Sequence, residues 1–381
     1  MSEYTFDTII DRRNTASLKW DIYKDRDILP LWVADMDFQA PPAVIDALRQ
    51  QVTHGIFGYT HIPEELPQII KQRLAENYGW QIAASWLVWL PGLVSGLNIA
   101  CRAVGNAGDQ VVTTVPIYPP FLTAPAFSDR NLITVPLVDD ATQWIFDLDH
   151  LEKAITPRTK LLLLCTPHNP CGRVFTKEEL ETLAEICIRR DLIICSDEIH
   201  CELILDASKK HLPTATLGSE IAKRTITLMA PSKTFNIPGL GCSFAIIPHQ
   251  PLRRQFQKAM SGIVPEINCM GLFAGLAAYK NCHKWHHALL EYLRSNRNLV
   301  EEKINAMNGL SMRHVEATYL AWIDARETGL ADPHAFFEQA GVGLFNGTAF
   351  GTPGFLRLNF GCPRTLLEKA LGRMAAALKV K

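Results

Sequence analysis

The sequence predicts an α/β fold, in which helices cover a large, mostly parallel sheet of the seven-stranded type and a smaller α+β domain is attached. Short continuous runs of Val, Ile and Leu alternate with helical patterns from about residue 86 to residue 247. Such runs are typical of parallel strands that are buried on both faces. Beyond about residue 250, helices dominate, and the length of 381 residues suits about two domains.

The first helices are marked by their end residues. One begins at Pro41 and Pro42, which suit a first turn, and ends at Gly55. Others are predicted over residues 63–78, 149–155 and 176–190, and the turn over 91–97 leads into a helix that runs to Val104. Residues 118–127 form a loop or a helix. Thr176 and Glu179 form a capping box at the start of the helix over 176–190.

Apolar runs predict the strands, and the final third of the chain has a different pattern. Strands of the large sheet are predicted over residues 86–90, 110–115, 132–137, 160–165, 192–196, 224–229 and 242–247. Later elements are helices over 250–260, 266–280, 284–308 and 364–378, with strands over 318–324 and 354–360. We therefore expect a large domain over residues 43–280 and a small domain formed by residues 1–42 and 281–381.

Composition and charge exclude several classes of protein. A formal net charge of −1 gives no support for binding to nucleic acid or to a membrane surface. No apolar run approaches the ~18 residues of a membrane span, and the N-terminus lacks the apolar core of a secretory signal. The ten cysteines include no Cys-x-x-Cys pair, so we expect free thiols in a cytoplasmic protein and no metal site.

Chemically distinctive residues follow successive strands of the large domain. Because the carboxyl ends of parallel strands meet at one edge of a sheet, we expect these residues to lie together. They comprise an anion-binding turn, an aromatic ring, an amide, a carboxylate and a lysine. In chain order these are Val94 with Ser95, Tyr118, Asn169, Asp197, and Ser232 with Lys233. Taken singly, each has an ordinary alternative as a turn, cap or surface residue.

Together these groups match the needs of pyridoxal 5′-phosphate. Its ring stacks on an aromatic side chain, and its pyridine nitrogen needs a carboxylate in order to stay protonated. Its phosphate needs N–H groups and hydroxyls, and its aldehyde needs a lysine amine for a Schiff base. The sequence therefore predicts Lys233 as the Schiff-base lysine, Asp197 beside the pyridine nitrogen and Asn169 beside the phenolic oxygen.

Four segments resemble a known family, the fold-type I pyridoxal-phosphate enzymes of the class I/II aminotransferase family. They are Asn169-Pro-Cys-Gly172, Asp197-Glu-Ile199, Ser232-Lys-Thr-Phe-Asn-Ile-Pro-Gly-Leu240 and Phe355-Leu-Arg-Leu-Asn-Phe360. The resemblance implies that Arg357 binds the α-carboxylate of an amino-acid substrate, as an arginine fork is able to do with two parallel hydrogen bonds. Asn169–Pro170 is also expected to be a cis peptide bond.

The N-terminal part resembles the carbon–sulfur (cystathionine) β-lyase branch of that family. The resemblance rests on Lys19-Trp20-Asp21, on Leu29-Pro-Leu-Trp-Val-Ala-Asp-Met-Asp-Phe38 and on Gly55-Ile-Phe-Gly-Tyr59. It implies a homodimer in which Tyr59 reaches the cofactor phosphate of the neighbouring subunit. It also implies that the backbone near Ala34 lines the substrate carboxylate. The roles of Asp35 and Asp37 stay open between loop caps and site residues.

Two positions depart from the general family pattern. His200 stands where many members carry a tyrosine that donates to the phenolic oxygen, and Gly241 stands where many carry an arginine on the phosphate. We therefore expect the phenolic oxygen to rely more on Asn169. The phosphate is left to Ser232, to Tyr59 and to N–H groups near Val94 and Ser95, which predicts weaker cofactor retention. A histidine can titrate near neutral pH, so His200 is a candidate for such behaviour.

The resemblance implies α,β-elimination of cystathionine, cysteine or related S-substituted amino acids, yielding a thiol, pyruvate and ammonia. Lys233 would remove the Cα proton, and Lys233 or Tyr118 would protonate the leaving thiolate. One alternative is an aminotransferase on the same scaffold, because the motifs around Lys233 are common to both activities. A second alternative is a pyridoxal-phosphate-binding regulator that acts through protein contacts.

Overall fold

The computed structural model describes residues 4–380. Its helices are α1 (Leu18–Asp21), α2 (Pro42–His54), α3 (Glu65–Tyr78), α4 (Leu93–Ala103), α5 (Pro119–Thr123), α6 (Leu148–Ala154), α7 (Lys177–Arg189), α8 (Ser219–Arg224), α9 (Gln250–Met260), α10 (Cys269–Asn281), α11 (His283–Asn305), α12 (Pro333–Gln339) and α13 (Arg364–Val380). Its strands are β1 (Leu29–Pro30), β2 (Leu87–Leu90), β3 (Gln110–Val115), β4 (Asn131–Pro136), β5 (Val138–Asp139), β6 (Trp144–Ile145), β7 (Thr159–Cys165), β8 (Ile193–Asp197), β9 (Thr225–Met229), β10 (Ser243–Ile246), β11 (Ser311–Met312), β12 (Leu320–Asp324), β13 (Val342–Gly343), β14 (Phe345–Asn346) and β15 (Phe355–Asn359). Each predicted helix and strand is present, with its ends shifted by a few residues at most.

The large sheet has seven strands in the order β2-β10-β9-β8-β7-β3-β4. Strands β9, β8, β7, β3 and β4 pair in parallel, whereas β10 is antiparallel to both of its neighbours. The prediction of a mostly parallel sheet is therefore confirmed, with β10 as the exception. Because β2 is antiparallel to β10, it runs with the other five strands, and six strands end at the same edge.

A smaller antiparallel sheet has the order β11-β12-β15-β14. Arg357 of β15 lies between two aromatic residues, opposite Trp322 of β12 and opposite Phe345 of β14. Near the N-terminus, β1 pairs in parallel with β13, with Leu29 opposite Val342. This pairing supports the expectation that the two chain ends form one small domain, and the boundaries given above remain a prediction.

Helices cover both faces of the large sheet, which accounts for its continuous apolar strands. On one face, Leu97 of α4 and Phe256 of α9 pack with strand residues such as Leu228. On the other face, α7 contributes Leu180 and Leu183 to a second cluster. The Thr176–Glu179 capping box at the start of α7 is present as predicted. The layers leave the carboxyl edge of the sheet as the place where polar side chains collect.

The composition also led to expectations about the cysteines and about membrane spans. All ten cysteines are free thiols, and all except Cys269 are buried. Across residues 4–380, none of the helices combines the length and the apolar character that crossing a bilayer requires.

Candidate active site

A cavity of about 540 Å³ lies at the carboxyl edge of the large sheet, beside the small sheet. Its wall contains every predicted site residue except Tyr59. These are Ala34, Val94, Ser95, Tyr118, Asn169, Asp197, His200, Ser232, Lys233 and Arg357. The strand ends therefore bring together residues that are separated by up to 323 positions in the chain.

Lys233 follows β9 in a turn and is only partly exposed. Its Nζ donates a hydrogen bond to the backbone oxygen of Ala34 at 2.6 Å. Burial lowers the pKa of Lys233 from 10.5 to about 8, and the positive charge of Arg357 acts in the same direction. Asp35 and Asp197 oppose this shift. A lysine with such a pKa has an appreciable neutral fraction near neutral pH, as a nucleophilic amine requires.

Asp197 is the last residue of β8 and is buried. One carboxylate oxygen accepts a hydrogen bond from the N–H of Ile199 at 3.1 Å. Burial raises the pKa of Asp197 from 3.8 to about 7, and the nearby Lys233 opposes that rise. A cation beside a buried carboxylate stabilises the ionised form of that carboxylate. Asp197 is therefore suited to bind a protonated heterocyclic nitrogen.

Arg357 is 1% exposed, and its partners are all neutral. It donates to the side-chain oxygen of Asn169 at 3.0 Å and to the backbone oxygen of Trp32 at 2.9 Å, while its Nε has no partner. Its guanidinium lies over the rings of Phe345 and Phe350, 5.0 and 4.8 Å from their centroids. Burial lowers the pKa of Arg357 to about 10. Among residues 4–380, no carboxylate forms an ion pair with this arginine, so the site suits an anionic ligand.

Asn169 lines the cavity and is hydrogen-bonded to Arg357. Since its oxygen accepts from Arg357, its amide NH₂ is the group left to donate towards a bound molecule. Asn169–Pro170 is cis as predicted, and Val115–Pro116 and Thr166–Pro167 are cis as well.

The anion-binding turn precedes α4 and has little cationic support. Val94 and Ser95 lie in the first turn of α4, whose N-cap is Gly92, and Ser232 lies across the cavity. Helix N-termini of this kind offer N–H groups to anions. The cations in the cavity wall are Lys233 and Arg357. Gly241 adopts a φ of +62°, and a Cβ there would lie 3.0 Å from the Pro91 oxygen, so a side chain at this position would be strained.

The donor set of the cavity fits pyridoxal 5′-phosphate. The amine of Lys233 can hold its aldehyde, and Asp197 can hold a proton at its pyridine nitrogen. The free NH₂ of Asn169 can donate to its phenolic oxygen, and the turn at Val94 and Ser95 can bind its phosphate.

Comparison with known proteins identifies the family. The family described as "Aminotransferase class I and II" matches residues 26–374. The chain belongs to this family. Cystathionine beta-lyase PatB from Bacillus subtilis (strain 168) is 35% identical over 385 residues, with 98% of this chain and 99% of that protein covered.

Two solved structures of the same fold are also similar to the chain. Cystalysin from Treponema denticola, whose crystal structure contains a pyridoxal 5′-phosphate cofactor, is 33% identical with a TM-score of 0.94, and 99% of each chain is covered. The crystal structure of OvoB is 47% identical with a TM-score of 0.97, and it covers 99% of this chain and 100% of that one. The predicted fold class is therefore confirmed for this member of the class I and II aminotransferase family.

Tyr59 is the predicted site residue that a single chain does not bring to the cavity. It is fully exposed, in a loop where Ile56 and Phe57 are exposed as well. Phe57 and Tyr59 line a different groove, together with residues 265–270. Within one subunit, Tyr59 therefore does not belong to the cavity that contains Lys233.

His200 faces the cavity, but the idea that it titrates near neutral pH is wrong. The side chain is buried, and one ring nitrogen, Nδ1, has no hydrogen-bond partner within residues 4–380. The pKa of His200 is lowered to about 3, mainly by burial and also by the positive charges of Lys233 and Arg357. His200 is therefore neutral throughout the physiological range.

Asp35 and Asp37 hold the N-terminal segment in place and do not line the cavity. Asp37 accepts hydrogen bonds from Lys19 at 2.8 Å, Arg12 at 2.7 Å and Trp20 at 2.8 Å. Asp35 also pairs with Arg12, at 3.0 Å. These contacts fix the segment that brings Trp32, Val33 and Ala34 to the cavity wall.

Sequence reasoning missed several residues of the site. Trp32 and Phe345 line the cavity and pack edge to face at 5.8 Å. Tyr319 is buried and donates from its hydroxyl to the Ala34 oxygen at 3.1 Å. The only sequence signal for Tyr319 was its position at the start of a predicted strand, which does not indicate what it contacts.

Proposed function

We propose that the chain is a pyridoxal-phosphate-dependent carbon–sulfur β-lyase. It converts L-cystathionine or L-cysteine-type S-substituted amino acids into a thiol, pyruvate and ammonia. The observation that carries the proposal is Arg357, a buried cation that has no acidic partner among residues 4–380, in the same cavity as Lys233 and Asp197. Similarity to PatB and to cystalysin over almost the whole chain supports the lyase activity and the cofactor.

Arg357 and Asn169 orient the reactants. The two hydrogen bonds of Arg357 hold its guanidinium in one orientation. In this orientation the guanidinium binds the substrate carboxylate. Fixing that carboxylate holds the Cα–H bond in one orientation, which lowers the entropic part of the barrier. The backbone at Ala34 closes the same side of the cavity, and the ring of Tyr118 supports the cofactor ring from its position after β3.

Asp197 and Lys233 hold and move protons. Bound pyridoxal phosphate withdraws electrons from the substrate Cα, which makes the Cα proton removable. Asp197 holds a proton at the pyridine nitrogen, because ionisation of this buried carboxylate is favoured by a cation beside it. Lys233, once free, accepts the Cα proton, and its lowered pKa keeps it available as a base near neutral pH.

Departure of the sulfur needs a proton donor. Burial raises the pKa of Tyr118, so its hydroxyl stays protonated at neutral pH. Tyr118 and protonated Lys233 are therefore the two candidate donors to the leaving thiolate. The remaining three-carbon product hydrolyses to pyruvate and ammonia, and for cystathionine the thiol is homocysteine.

Pyruvate formation without an acceptor tests this activity. The purified enzyme with cofactor is incubated with cystathionine or cysteine in the absence of any oxo acid, and we expect pyruvate and a thiol in equal amounts. Turnover that requires an oxo acid would instead establish an aminotransferase.

A lysine variant tests the role of Lys233. Lys233→Ala should lose both the activity and the absorbance of the lysine-bound cofactor. The control variant Lys280→Ala, at an exposed lysine, should retain both.

The proposal includes a homodimer in which Tyr59 completes the site of the neighbouring subunit. Its support is the exposed loop with Ile56, Phe57 and Tyr59, since exposed apolar clusters mark interaction surfaces. Tyr59→Ala and Lys233→Ala are each expected to be inactive alone. Refolded together in equal amounts, they should regain about a quarter of wild-type activity, because half of the dimers are mixed and each has one intact site. No recovery, or a monomer in sedimentation, would contradict the shared site.

A further inference from the structure

Consecutive backbone carbonyls of the N-terminal segment are held by side chains from distant parts of the fold. Arg357 donates to the oxygen of Trp32, and Asn359 donates to those of Val33 and Asp35, at 2.7 and 2.6 Å. Asn236 donates to that of Met36 at 2.9 Å. The carbonyl at the centre of this run, that of Ala34, is therefore fixed from both sides.

The Ala34 oxygen accepts two hydrogen bonds. One comes from Nζ of Lys233 at 2.6 Å and the other from the hydroxyl of Tyr319 at 3.1 Å. A carbonyl oxygen has two lone pairs, so both donors are accommodated. Tyr319 is 1% exposed. Its backbone is held as well, since the N–H of Phe360 donates to the Tyr319 oxygen and the N–H of Thr318 to that of Leu203.

We propose that the Ala34 carbonyl is the docking point of the free Lys233 amine and that Tyr319 is a positioning residue that holds this carbonyl. The inference rests on the proposed role of Lys233 as the cofactor-binding lysine. When Lys233 is released during turnover, this acceptor returns its amine to one fixed place. The same contact stabilises the protonated amine, since a hydrogen bond to the charged form favours that form.

Other charged or titratable groups also act on Lys233. Arg357 disfavours the ammonium form, whereas Asp35 and Asp197 favour it. His200 is neutral and lies beside Tyr319, with ring centroids 6.2 Å apart. Replacement of Tyr319 by phenylalanine leaves all four groups in place. A change in the pKa of Lys233 in that variant can therefore be attributed to the Ala34 carbonyl.

The test uses the full-length chain freed of cofactor. Pyridoxal phosphate is added at a series of pH values, and the rate of Schiff-base formation is followed by absorbance. The midpoint of the rate against pH reports the pKa of the Lys233 amine. In Tyr319→Phe the Ala34 carbonyl is released on one side and turns away from Lys233, so the protonated amine loses its acceptor. We therefore expect this midpoint to fall by on the order of one pH unit, the size expected when a hydrogen bond to a charged group is lost.

Two further variants make the result specific. Tyr23→Phe removes the hydroxyl of a buried tyrosine that donates to Glu338 and does not line the cavity, and should leave the midpoint unchanged. Ala34→Gly loosens the peptide but keeps the carbonyl, and should lower the midpoint as Tyr319→Phe does. If Tyr319→Phe fails to fold, Ala34→Gly carries the test.

A second readout uses the enzyme with cofactor. If the lysine is less well placed, proton removal becomes more rate-limiting, so Tyr319→Phe should show a larger Cα-deuterium isotope effect on kcat than the wild type. If the pH midpoint of Schiff-base formation is unchanged or higher in both Tyr319→Phe and Ala34→Gly, the docking role is refuted. The lyase proposal would remain intact. A Schiff base that still forms in Lys233→Ala would instead refute the proposed function itself.

Discussion

Removal of the unpaired charge of Arg357 is expected to abolish most activity without a loss of stability. The pKa of Arg357 is lowered from 12.5 to about 10 by burial. That difference corresponds to ~3 kcal/mol by which burial disfavours the charged guanidinium. A substrate carboxylate that pairs with the guanidinium is able to recover free energy of this size. Arg357→Met should therefore lower kcat/KM by ~100-fold or more, since ~1.4 kcal/mol corresponds to a factor of ten.

The stability of this variant is the second half of the prediction. Methionine removes a buried charge that no carboxylate pairs with in the described part of the chain, and such replacements are often neutral or stabilising. The two acceptors that lose Arg357, on Asn169 and Trp32, border the cavity, where water can reach them. We therefore expect the thermal midpoint of the cofactor-free variant to equal or exceed that of the wild type.

The assay compares a free amino-acid substrate with its methyl ester, which lacks the carboxylate charge. The wild type should prefer the free acid by ~100-fold, whereas Arg357→Met should show almost no preference. Arg326→Met is the matched control, because Arg326 also lies over an aromatic ring, that of Phe355, but is exposed and paired with Asp324. A loss below ~tenfold, or an equal loss with the ester, would refute the role of Arg357.

Three further predictions concern pH and cofactor affinity. Asp197 has its pKa raised from 3.8 to about 7, so its stabilising contribution to the cofactor-free fold is full below pH ~4 and is lost as the pH rises through ~7. Asp197→Asn should remove this dependence, of up to ~4 kcal/mol, from the free energy of unfolding measured against pH. Pyridoxal phosphate should dissociate more readily than from relatives with an arginine at the position of Gly241, because the phosphate lacks that cation; dissociation constants in matched buffer test this. His200→Gln should leave the shape of kcat/KM against pH unchanged between pH ~5.5 and ~8, because a pKa of about 3 keeps His200 neutral there.

For each of these three predictions, one result would contradict it. The same pH dependence of stability in Asp197→Asn as in the wild type would mean that another group titrates. A cofactor dissociation constant as low as that of arginine-bearing relatives would show that the helix N-terminus and Ser232 are sufficient for the phosphate. A shifted pH profile in His200→Gln would show that His200 takes part in proton transfer.

The sequence was sufficient for much of the fold and for the strand-end part of the site. Periodicity and apolar runs indicated each long element, because burial on one or both faces leaves a local pattern. Asn169, Asp197 and Lys233 could be predicted since parallel strands end at one edge, whatever their order. The reversed direction of β10 was not predicted, because an apolar run carries no information about strand direction.

The parts that were missed depend on contacts between distant segments. Phe345 meets Arg357 only because the two-residue strand β14 pairs with β15, and so short a strand has no periodicity. Tyr319 contacts Ala34 across 285 positions, which no local pattern reveals. The expectation that His200 titrates near neutral pH failed for a different reason: its pKa depends on burial and on neighbouring charges, and neither is visible in the composition of its segment.

The tethering of Trp32, Val33 and Ala34 to distant residues has a consequence for how the protein is made. The hydrogen bonds from Arg357 to Trp32 and from Asn359 to Val33 span 325 and 326 positions. During synthesis, which proceeds from the N-terminus, the large sheet can assemble well before either partner has emerged from the ribosome. The nascent chain thus acquires Lys233 and the turn at Val94 and Ser95 early, whereas the proposed carboxylate site is complete only after β15 has been translated. Truncation before β15 should leave a chain that lacks the residue expected to anchor the amino acid.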